Sequence, residues 1–384
     1  MLQNDGRGGP MIIHLVPNSR AEGCGVTDYA SAVCDQMQLL DREYETKIIR
    51  INAYDGSTTT EFFAAQFWGH LKEQLAGIES DITAVVLHYS GYGYSRDGAP
   101  DWLAAAMNDR PDCFASIPIV TFFHELYATA WPWRRTFWHS SRQRRVAESL
   151  AKSSDHVLTN RRLSASWLSE YVQQTDQHVG YLPVPSNIGE PIDVAPYASR
   201  KPIAILFGSR NFKRAFAKGT GAQLTADICQ KYGIKTIVDI GTKADWNTKA
   251  LETAGIELQC PGYLSGDEVL STMLSARVGF FNYYPDHLEK SGILAAFARC
   301  GVPLISPPRV NAQLAQLIGI EHPPMFSKSL LSKTQRQFDH TARRTSECLH
   351  QWSLSHGVKE HAEMIISTCL DAKTQNEAAG VPCY

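Results

Sequence analysis

Four basic side chains crowd one short segment of the chain. Residues 207–219 read FGSRNFKRAFAKG and include Arg210, Lys213, Arg214 and Lys218. Guanidinium and ammonium groups donate charge-assisted hydrogen bonds to phosphate oxygens, and the start of a helix adds unpaired N–H groups. The segment therefore predicts a diphosphate site, with Arg210 also placed as a catalytic residue that stabilises the charge of a departing phosphate. A solvated basic surface is the alternative.

A second segment combines a carboxylate, an ammonium group and the start of a helix of small residues. It covers residues 282–306, NYYPDHLEKSGILAAFARCGVPLIS. Lys290, Ser291 and Gly292 stand where the helix begins, and its free N–H groups favour a phosphate. Glu289 is placed to accept hydrogen bonds from a ribose or sugar hydroxyl, as a further catalytic candidate. A β-α-β unit without a ligand is the alternative.

Glycines near the N-terminus indicate a third contact with phosphate. Residues 17–29, PNSRAEGCGVTDY, follow an apolar run and lead into a helical pattern. Gly23, Cys24 and Gly25 would let the backbone approach a diphosphate closely. The loop lacks the third glycine of a dinucleotide-binding fingerprint, since position 28 is Asp, and a purely structural turn is the alternative.

Polar side chains also follow two other apolar runs, in residues 88–101 and 121–127. The carboxyl ends of parallel strands meet at one edge of a sheet, and ligands bind there. His124 is the predicted catalytic residue of this group. The predicted substrate-binding residues are His88, Tyr92, Tyr94, Arg96 and Glu125. For the two histidines, a satisfied structural role is the alternative.

Eleven short apolar runs predict β-strands, and segments of helical length separate them. Six precede a proline-rich break at residues 183–202, namely 11–16, 47–52, 82–88, 117–123, 155–159 and 178–182. Five follow it, namely 202–207, 235–240, 256–259, 277–282 and 302–306. Helical periodicity marks residues 27–40 and 61–75, and residues 327–369 are expected to be helical with a break near 353–357.

Strands that alternate with helices indicate parallel sheets. The sequence therefore predicts an α/β protein with two Rossmann-like domains facing a central cleft, and with C-terminal helices that cross back to the first domain. The expected organisation is a tail at residues 1–10, a first domain at 11–190, a second domain at 200–352, and a returning helix and tail at 354–384.

Composition narrows the class of protein. The chain has 384 residues, of which 43% are hydrophobic and 20% charged, as in globular proteins with more than one core. Its net charge of -2 argues against nucleic acid as a partner. Nine cysteines without a C-x-x-C pair indicate reduced thiols rather than a zinc site. The polar first ten residues do not resemble a secretion signal, so we expect a cytoplasmic protein.

In their order along the chain, these segments resemble the GT-B glycosyltransferases of the family-4 type, over most of residues 11–370. In that family the first glycine loop lies against the donor diphosphate, which implies the same for residues 23–25. The family's histidine after the fourth strand matches His124, which implies contact with the donor sugar or the acceptor. Its G-R-x-x-x-K-G element resembles residues 208–219, where Lys213, Arg214 and Lys218 are alternatives for the phosphate lysine.

The family's E-x7-E donor motif is similar to residues 288–303, with Glu289 as its first carboxylate. The second is absent, and Ala296 or Phe297 occupies its place. The resemblance implies transfer of a hexose-type sugar from a nucleotide-diphosphate sugar to a hydroxyl acceptor, with retention of configuration and without a metal or cofactor. The acceptor would be a glycan, a lipid-linked molecule or a small molecule. The resemblance assigns it to the first domain, with the five substrate-binding residues named above as acceptor-binding residues, and assigns the nucleotide sugar to the second domain.

An aromatic and arginine-rich segment, residues 131–145, has two interpretations. A solvated helix that lines the acceptor cleft is the first. Peripheral contact with an anionic membrane, at its inner face, is the second.

Three other functions stay open from the sequence. A nucleotide-sugar epimerase would share the two-domain architecture. A dinucleotide-dependent oxidoreductase is disfavoured, because the second strand ends in Arg50, Ile51 and Asn52 rather than in an acidic residue. The missing second carboxylate also allows a non-catalytic relative that binds a sugar or a partner.

Overall fold

A computed structural model describes residues 10–18, 25–40, 44–54, 59–76, 81–128, 135–172 and 179–378, apart from the side chains of residues 135–137. The chain divides into two compact units. One comprises Met1–Leu182 with Val358–Tyr384, and the other comprises Pro183–Gly357.

The first unit is built on a six-stranded sheet. Its strands are β1 (Met11–Pro17), β2 (Glu45–Ile51), β3 (Ile82–Tyr89), β4 (Ile119–Phe123), β5 (His156–Thr159) and β6 (Val179–Tyr181). They lie in the order β2-β1-β3-β4-β5-β6, and every pairing among them is parallel. The helices between them are α1 (Gly25–Leu40), α2 (Thr60–Leu75), α3 (Gly91–Tyr94), α4 (Asp101–Asn108), α5 (Asp112–Ala115), α6 (Arg135–Ser153) and α7 (Arg162–Ser169).

The second unit is built on a five-stranded parallel sheet. Its strands are β7 (Lys201–Phe207), β8 (Thr236–Ile240), β9 (Glu257–Gly262), β10 (Ala276–Phe280) and β11 (Leu304–Ile305), in the order β11-β10-β7-β8-β9. Its α-helices are α8 (Arg210–Ala217), α9 (Gly219–Lys231), α10 (Thr248–Thr253), α11 (Gly266–Ser275), α12 (Gly292–Arg299), α13 (Pro308–Ile318) and α14 (Gln335–Ser353). Short 3-10 helices cover Tyr197–Ser199, Pro285–Lys290 and Lys328–Ser332.

The last helix, α15 (Val358–Ala378), belongs to the first unit. It packs against α1, β3 and β4. Ile365 and Cys369 on α15 share a buried core with Ile12 of β1 and Phe122 of β4. Strand residues alternate between the faces of the sheet, so the neighbouring Ile13 lies in a different core, with Trp68 of α2 and Trp102 of α4 as members. Both faces of the first sheet are therefore covered.

The prediction of an α/β protein with two parallel-sheet, Rossmann-like domains is confirmed. All eleven predicted strands are present, each within three residues of the expected ends. For the sixth, residue 178 lies outside the described residues. Wherever the structure describes the chain, each helix is too short or too polar to cross a bilayer. The seven cysteines in that part are free thiols.

Candidate functional site

Two predicted donor segments lie side by side in the second unit. β7 and β10 are neighbouring parallel strands, so the turns that follow them share one edge of the sheet. A Cβ atom on Gly208, after β7, would lie 3.4 Å from Cδ1 of Ile293 in α12. Asn282, after β10, donates a hydrogen bond from Nδ2 to the backbone oxygen of Phe212 in α8, at 3.3 Å. The first turns of α8 and α12 are therefore adjacent.

Gly208 turns the chain from β7 into α8. Its φ is 131°, a backbone conformation that side chains with a Cβ rarely adopt. Arg210 then begins α8, with Ser209 as its N-cap. The glycine thus lets the basic segment start directly at the sheet edge.

Arg210 and Lys218 share one surface carboxylate, that of Asp245. Arg210 Nη2 donates to Oδ1 of Asp245, and the Lys218 ammonium lies 3.5 Å from Oδ2. The hydrogen bond from Arg210 holds the pKa of the Asp245 carboxyl below its usual value, and the charges of both cations act in the same direction. The Arg210 side chain is 59% exposed and that of Lys218 48%. Exposed ion pairs of this kind are weak, so a diphosphate can compete for both cations.

Lys213 lies in a different environment. Its side chain is 1% exposed, and Nζ donates to Oδ1 of Asp239 at 2.6 Å, to the oxygen of Ile240 at 2.6 Å and to that of Thr242 at 2.9 Å. An ammonium group has three donors, and all three are used here. The prediction that Lys213 binds the diphosphate is therefore corrected, because this ammonium is committed inside the unit.

The partner of Lys213 also holds the loop after β8. Oδ2 of Asp239 accepts from the backbone N–H of Ala244 and from Nε1 of Trp246, both at 2.8 Å. Asp245 lies between these two residues. The buried Lys213–Asp239 pair thus fixes the loop that presents Asp245 to the surface cations.

The start of α12 has a side-chain cap and a close contact with the preceding part of the unit. Ser291 is its N-cap, 3% exposed, and its Oγ accepts a hydrogen bond from the Leu294 N–H at 3.1 Å. A Cβ atom on Gly292 would lie 3.2 Å from Cβ and Cγ of Asn187, so the glycine permits a close approach. Glu289 and Lys290 end the preceding 3-10 helix and are partly buried. The structure thus places all four predicted residues of this segment together.

The first unit holds a chain of three buried histidines. His14 Nδ1 lies 2.9 Å from His88 Nε2, and His88 Nδ1 lies 3.0 Å from His124 Nε2. His14 and His88 are fully buried and His124 is 8% exposed. The rings lie nearly parallel, at interplanar angles of 20° and 25°. β1, β3 and the end of β4 supply them, since these strands are adjacent in the sheet.

Burial keeps His14 and His88 uncharged. It lowers the pKa of His14 to about 4. It also lowers the pKa of His88 well below its usual value, and the neighbouring rings of His14 and His124 act in the same direction. Tyr29 of α1 packs edge-on against His88 and His124, and its hydroxyl lies 2.7 Å from Nδ1 of His361 in α15. In the part of the chain that is described, no three His, Cys, Asp or Glu residues are grouped to hold a metal ion.

The acceptor-binding predictions separate into two groups. His88 and Tyr94 are completely buried, and the Tyr94 hydroxyl donates to the backbone oxygen of His88 at 3.1 Å. The prediction that these two contact an acceptor is corrected, because neither side chain reaches the surface. Tyr92, Arg96 and Glu125 are exposed.

Part of the predicted site lies outside the described residues. This applies to Gly23 and Cys24 of the first glycine loop, whereas Gly25 begins α1. It also applies to residues 131–134 of the aromatic and arginine-rich segment, whose remainder begins α6.

The sequence matches neither a protein-family model nor a curated protein. Several solved structures do resemble it. An alpha-glucosyltransferase in complex with UDP and a 13-mer DNA containing an HMU base covers 95% of this chain and 100% of its own, with a TM-score of 0.54 and 11% identity. Medicago truncatula UGT71G1 complexed with UDP-glucose covers 95% and 99%, with a TM-score of 0.51 and 11% identity. A putative UDP-N-acetylglucosamine 2-epimerase from Listeria monocytogenes covers 94% and 95%, with a TM-score of 0.57 and 10% identity.

The fold is that of the GT-B glycosyltransferases. Three residues that make contacts in these two units, His14, Asp239 and Asp245, are not among the site residues predicted from the sequence. His14 and Asp239 stand within apolar strands, where a polar side chain is unusual, and Asp245 lies in the loop that follows β8. His14 within MIIHLVP is the one with a readable signal, since a buried strand seldom contains a polar residue. The two aspartates gain their roles only from partners elsewhere in the chain.

Proposed function

We propose that the chain is a glycosyltransferase that moves a hexose-type sugar from a nucleotide-diphosphate sugar to a hydroxyl acceptor. The observation that carries the proposal is the adjacency of Arg210, at the start of α8, and the capped start of α12 at one edge of the second GT-B sheet. Relatives in fold that were solved with UDP and with UDP-glucose align over 95% of the chain, which supports a nucleotide sugar as donor.

The donor diphosphate would be bound by cations and by helix N–H groups. Arg210 and Lys218 would leave Asp245 for the phosphates, and the first N–H groups of α12 would add further donors. As the bond from the sugar to the phosphate oxygen breaks, negative charge builds on that oxygen, and fixed cations stabilise it. Glu289, just before α12, would accept hydrogen bonds from a ribose or sugar hydroxyl.

In the first unit, His124 is proposed to contact the donor sugar or the acceptor at the carboxyl end of β4. Exposed Tyr92, Arg96 and Glu125 are the proposed acceptor contacts. We assign the reaction to the metal-independent, retaining class because of the resemblance to family-4 enzymes. NMR of the product will test retention, and an inverted anomer would exclude it.

A thermal-shift panel of nucleoside diphosphates and nucleotide sugars tests the proposal. A ligand that binds only the folded chain raises its melting temperature by mass action. We expect at least one nucleotide to do so, and Arg210→Ala and Lys218→Ala to weaken the response. Lys235→Ala is the matched control, because this exposed cation lies before β8, away from the carboxyl edge. A flat response across the panel would exclude a nucleotide-sugar enzyme.

A nucleotide-sugar epimerase is the second candidate, favoured by the likeness to the Listeria monocytogenes protein. The two activities differ in their need for an acceptor. We expect no conversion of the donor sugar to its epimer when the chain is incubated with the donor alone. Formation of that epimer without an acceptor would replace the transferase by the epimerase.

A further inference from the structure

We propose that His14 and His88 are positioning residues, which keep His124 a neutral imidazole with its Nε2 bonded into the first unit. His124 would then meet a substrate as an uncharged hydrogen-bonding group and not as a cationic acid. The substrate part of this inference rests on the proposed function, whereas the state of the rings does not.

The number of protons on the three histidine rings gives the physical reason. Three neutral imidazoles carry three N–H protons, and the two N···N hydrogen bonds each need one between their nitrogens. The third proton lies on one of the two terminal nitrogens, His14 Nε2 or His124 Nδ1. A fourth proton makes the row of three rings cationic and puts a proton on both terminal nitrogens.

Protonation of His14 Nε2, the inner terminal nitrogen, is energetically unfavourable. His14 Nε2 is buried and has no hydrogen-bond partner among the described residues. A cationic chain therefore leaves an N–H at this position without an acceptor, and buries a charge as well, which costs several kcal/mol in general. Among the contacts described for the three rings, the titratable side chains are Tyr29 of α1 and, behind it, His361 of α15, and neither is an acid that ionises at neutral pH.

Packing fixes the orientation of the rings. Ring centroids of His14 and His88 are 5.2 Å apart, and those of His88 and His124 are 5.3 Å apart. Tyr29 closes one side of the chain, and Phe122 contacts both His88 and His124. His124 thus has one rotamer set by neighbours, which is the condition under which a group acts with a fixed geometry.

A matched control exists in the same sheet. His156 is also buried, and its Nε2 lies 3.1 Å from Oε1 of Gln375 in α15. It begins β5, at the amino end of the strands, whereas His124 follows the carboxyl end of β4. Its replacement removes a buried, hydrogen-bonded histidine without touching the chain of three.

The experiment is NMR of the full chain with 15N-labelled histidine, between about pH 5 and pH 8, together with kinetics. We expect the 15N signals of His124 to show a neutral ring over this range in the unaltered chain, and to change in His88→Leu and His14→Leu, which remove hydrogen-bonded partners from the row of three rings. With saturating donor, kcat of these variants should fall about tenfold to a hundredfold, the effect of a displaced catalytic group. The thermal shift produced by nucleotide should not change, and His14→Gln should recover part of kcat.

His156→Leu should leave both the His124 ring signals and kcat unchanged. A charged His124 at neutral pH in the unaltered chain would overturn the inference, as would unaltered His124 ring signals in both leucine variants. If the unaltered chain transfers no sugar, the proposed function fails, while the NMR spectra still decide the state of the rings. Circular dichroism identifies any variant that does not fold, and the other leucine variant then carries the comparison.

Discussion

At the residue scale, Lys213 and Lys218 show how one basic segment divides between a structural role and a proposed binding role. Both stand in the same predicted phosphate segment. Lys213 is fully buried against Asp239, whereas the side chain of Lys218 is 48% exposed beside Asp245. Removing one partner of a buried pair leaves an unpaired charge, whereas an exposed pair adds little to stability.

We therefore expect Lys213→Met to lower the free energy of unfolding by about 3–5 kcal/mol, measured by urea denaturation. Lys218→Met should change it by less than about 0.5 kcal/mol, while weakening the binding of nucleotide. If the Lys213→Met variant instead keeps its stability and loses nucleotide binding, Lys213 is a phosphate ligand after all.

Asp245 competes with any anion for Arg210 and Lys218. Replacing it by Asn frees both cations, so we expect nucleotide to bind a few-fold more tightly, most clearly at low ionic strength. Isothermal titration calorimetry measures this. Asp227→Asn on α9 is the control for the change in net charge, since this partly buried carboxylate bonds only Gln223 among the described side chains. Weaker binding by Asp245→Asn alone would mean that the carboxylate orients the cations for the ligand.

At the element scale, the start of α12 has both a structural and a proposed binding role. The Ser291 hydroxyl caps the helix by accepting from the Leu294 N–H. α11, in the same unit, begins with the equivalent cap at Ser265, which accepts from Glu268. The two helices differ in that only α12 adjoins the Gly208 turn.

We expect Ser291→Ala and Ser265→Ala each to lower the free energy of unfolding by about 1 kcal/mol. Only Ser291→Ala should also weaken nucleotide binding, because it loosens the N–H groups that would meet the phosphate. Denaturation and calorimetry on both variants test this. Equal nucleotide affinity in the two would remove α12 from the donor site.

At the scale of the whole molecule, buried neutral histidines make stability depend on pH. The pKa of His14 is about 4 in the folded chain, below the ordinary value of 6.5. Between these values the unfolded chain binds more protons than the folded one. The contribution is therefore complete above pH 6.5 and is lost as the pH falls toward 4.

The expected loss from His14 is about 3 kcal/mol over this interval, and His88 adds to it in the same direction. Urea denaturation of the full chain at several pH values measures it. His14→Leu should show a shallower dependence between pH 6.5 and 4 than the unaltered chain. A His14→Leu chain with the slope of the unaltered chain would contradict a neutral buried His14.

The sequence by itself determined the eleven strands, the two parallel sheets and the segments that carry the proposed donor site. These follow from local patterns, since a buried strand needs a continuous apolar run and a helix start needs particular residues. Ser291 and Gly292 could be singled out because their roles depend on the backbone next to them in the chain.

Only the tertiary structure decided which polar groups meet. Lys213 pairs with Asp239, Arg210 pairs with Asp245, and His14 bonds to His88 because of the order in which strands lie in each sheet. A linear pattern shows that a side chain is polar, but its burial and its partner depend on segments distant in the chain. Burial and partners in turn decide whether a lysine stabilises the core or binds phosphate, and whether a histidine carries charge.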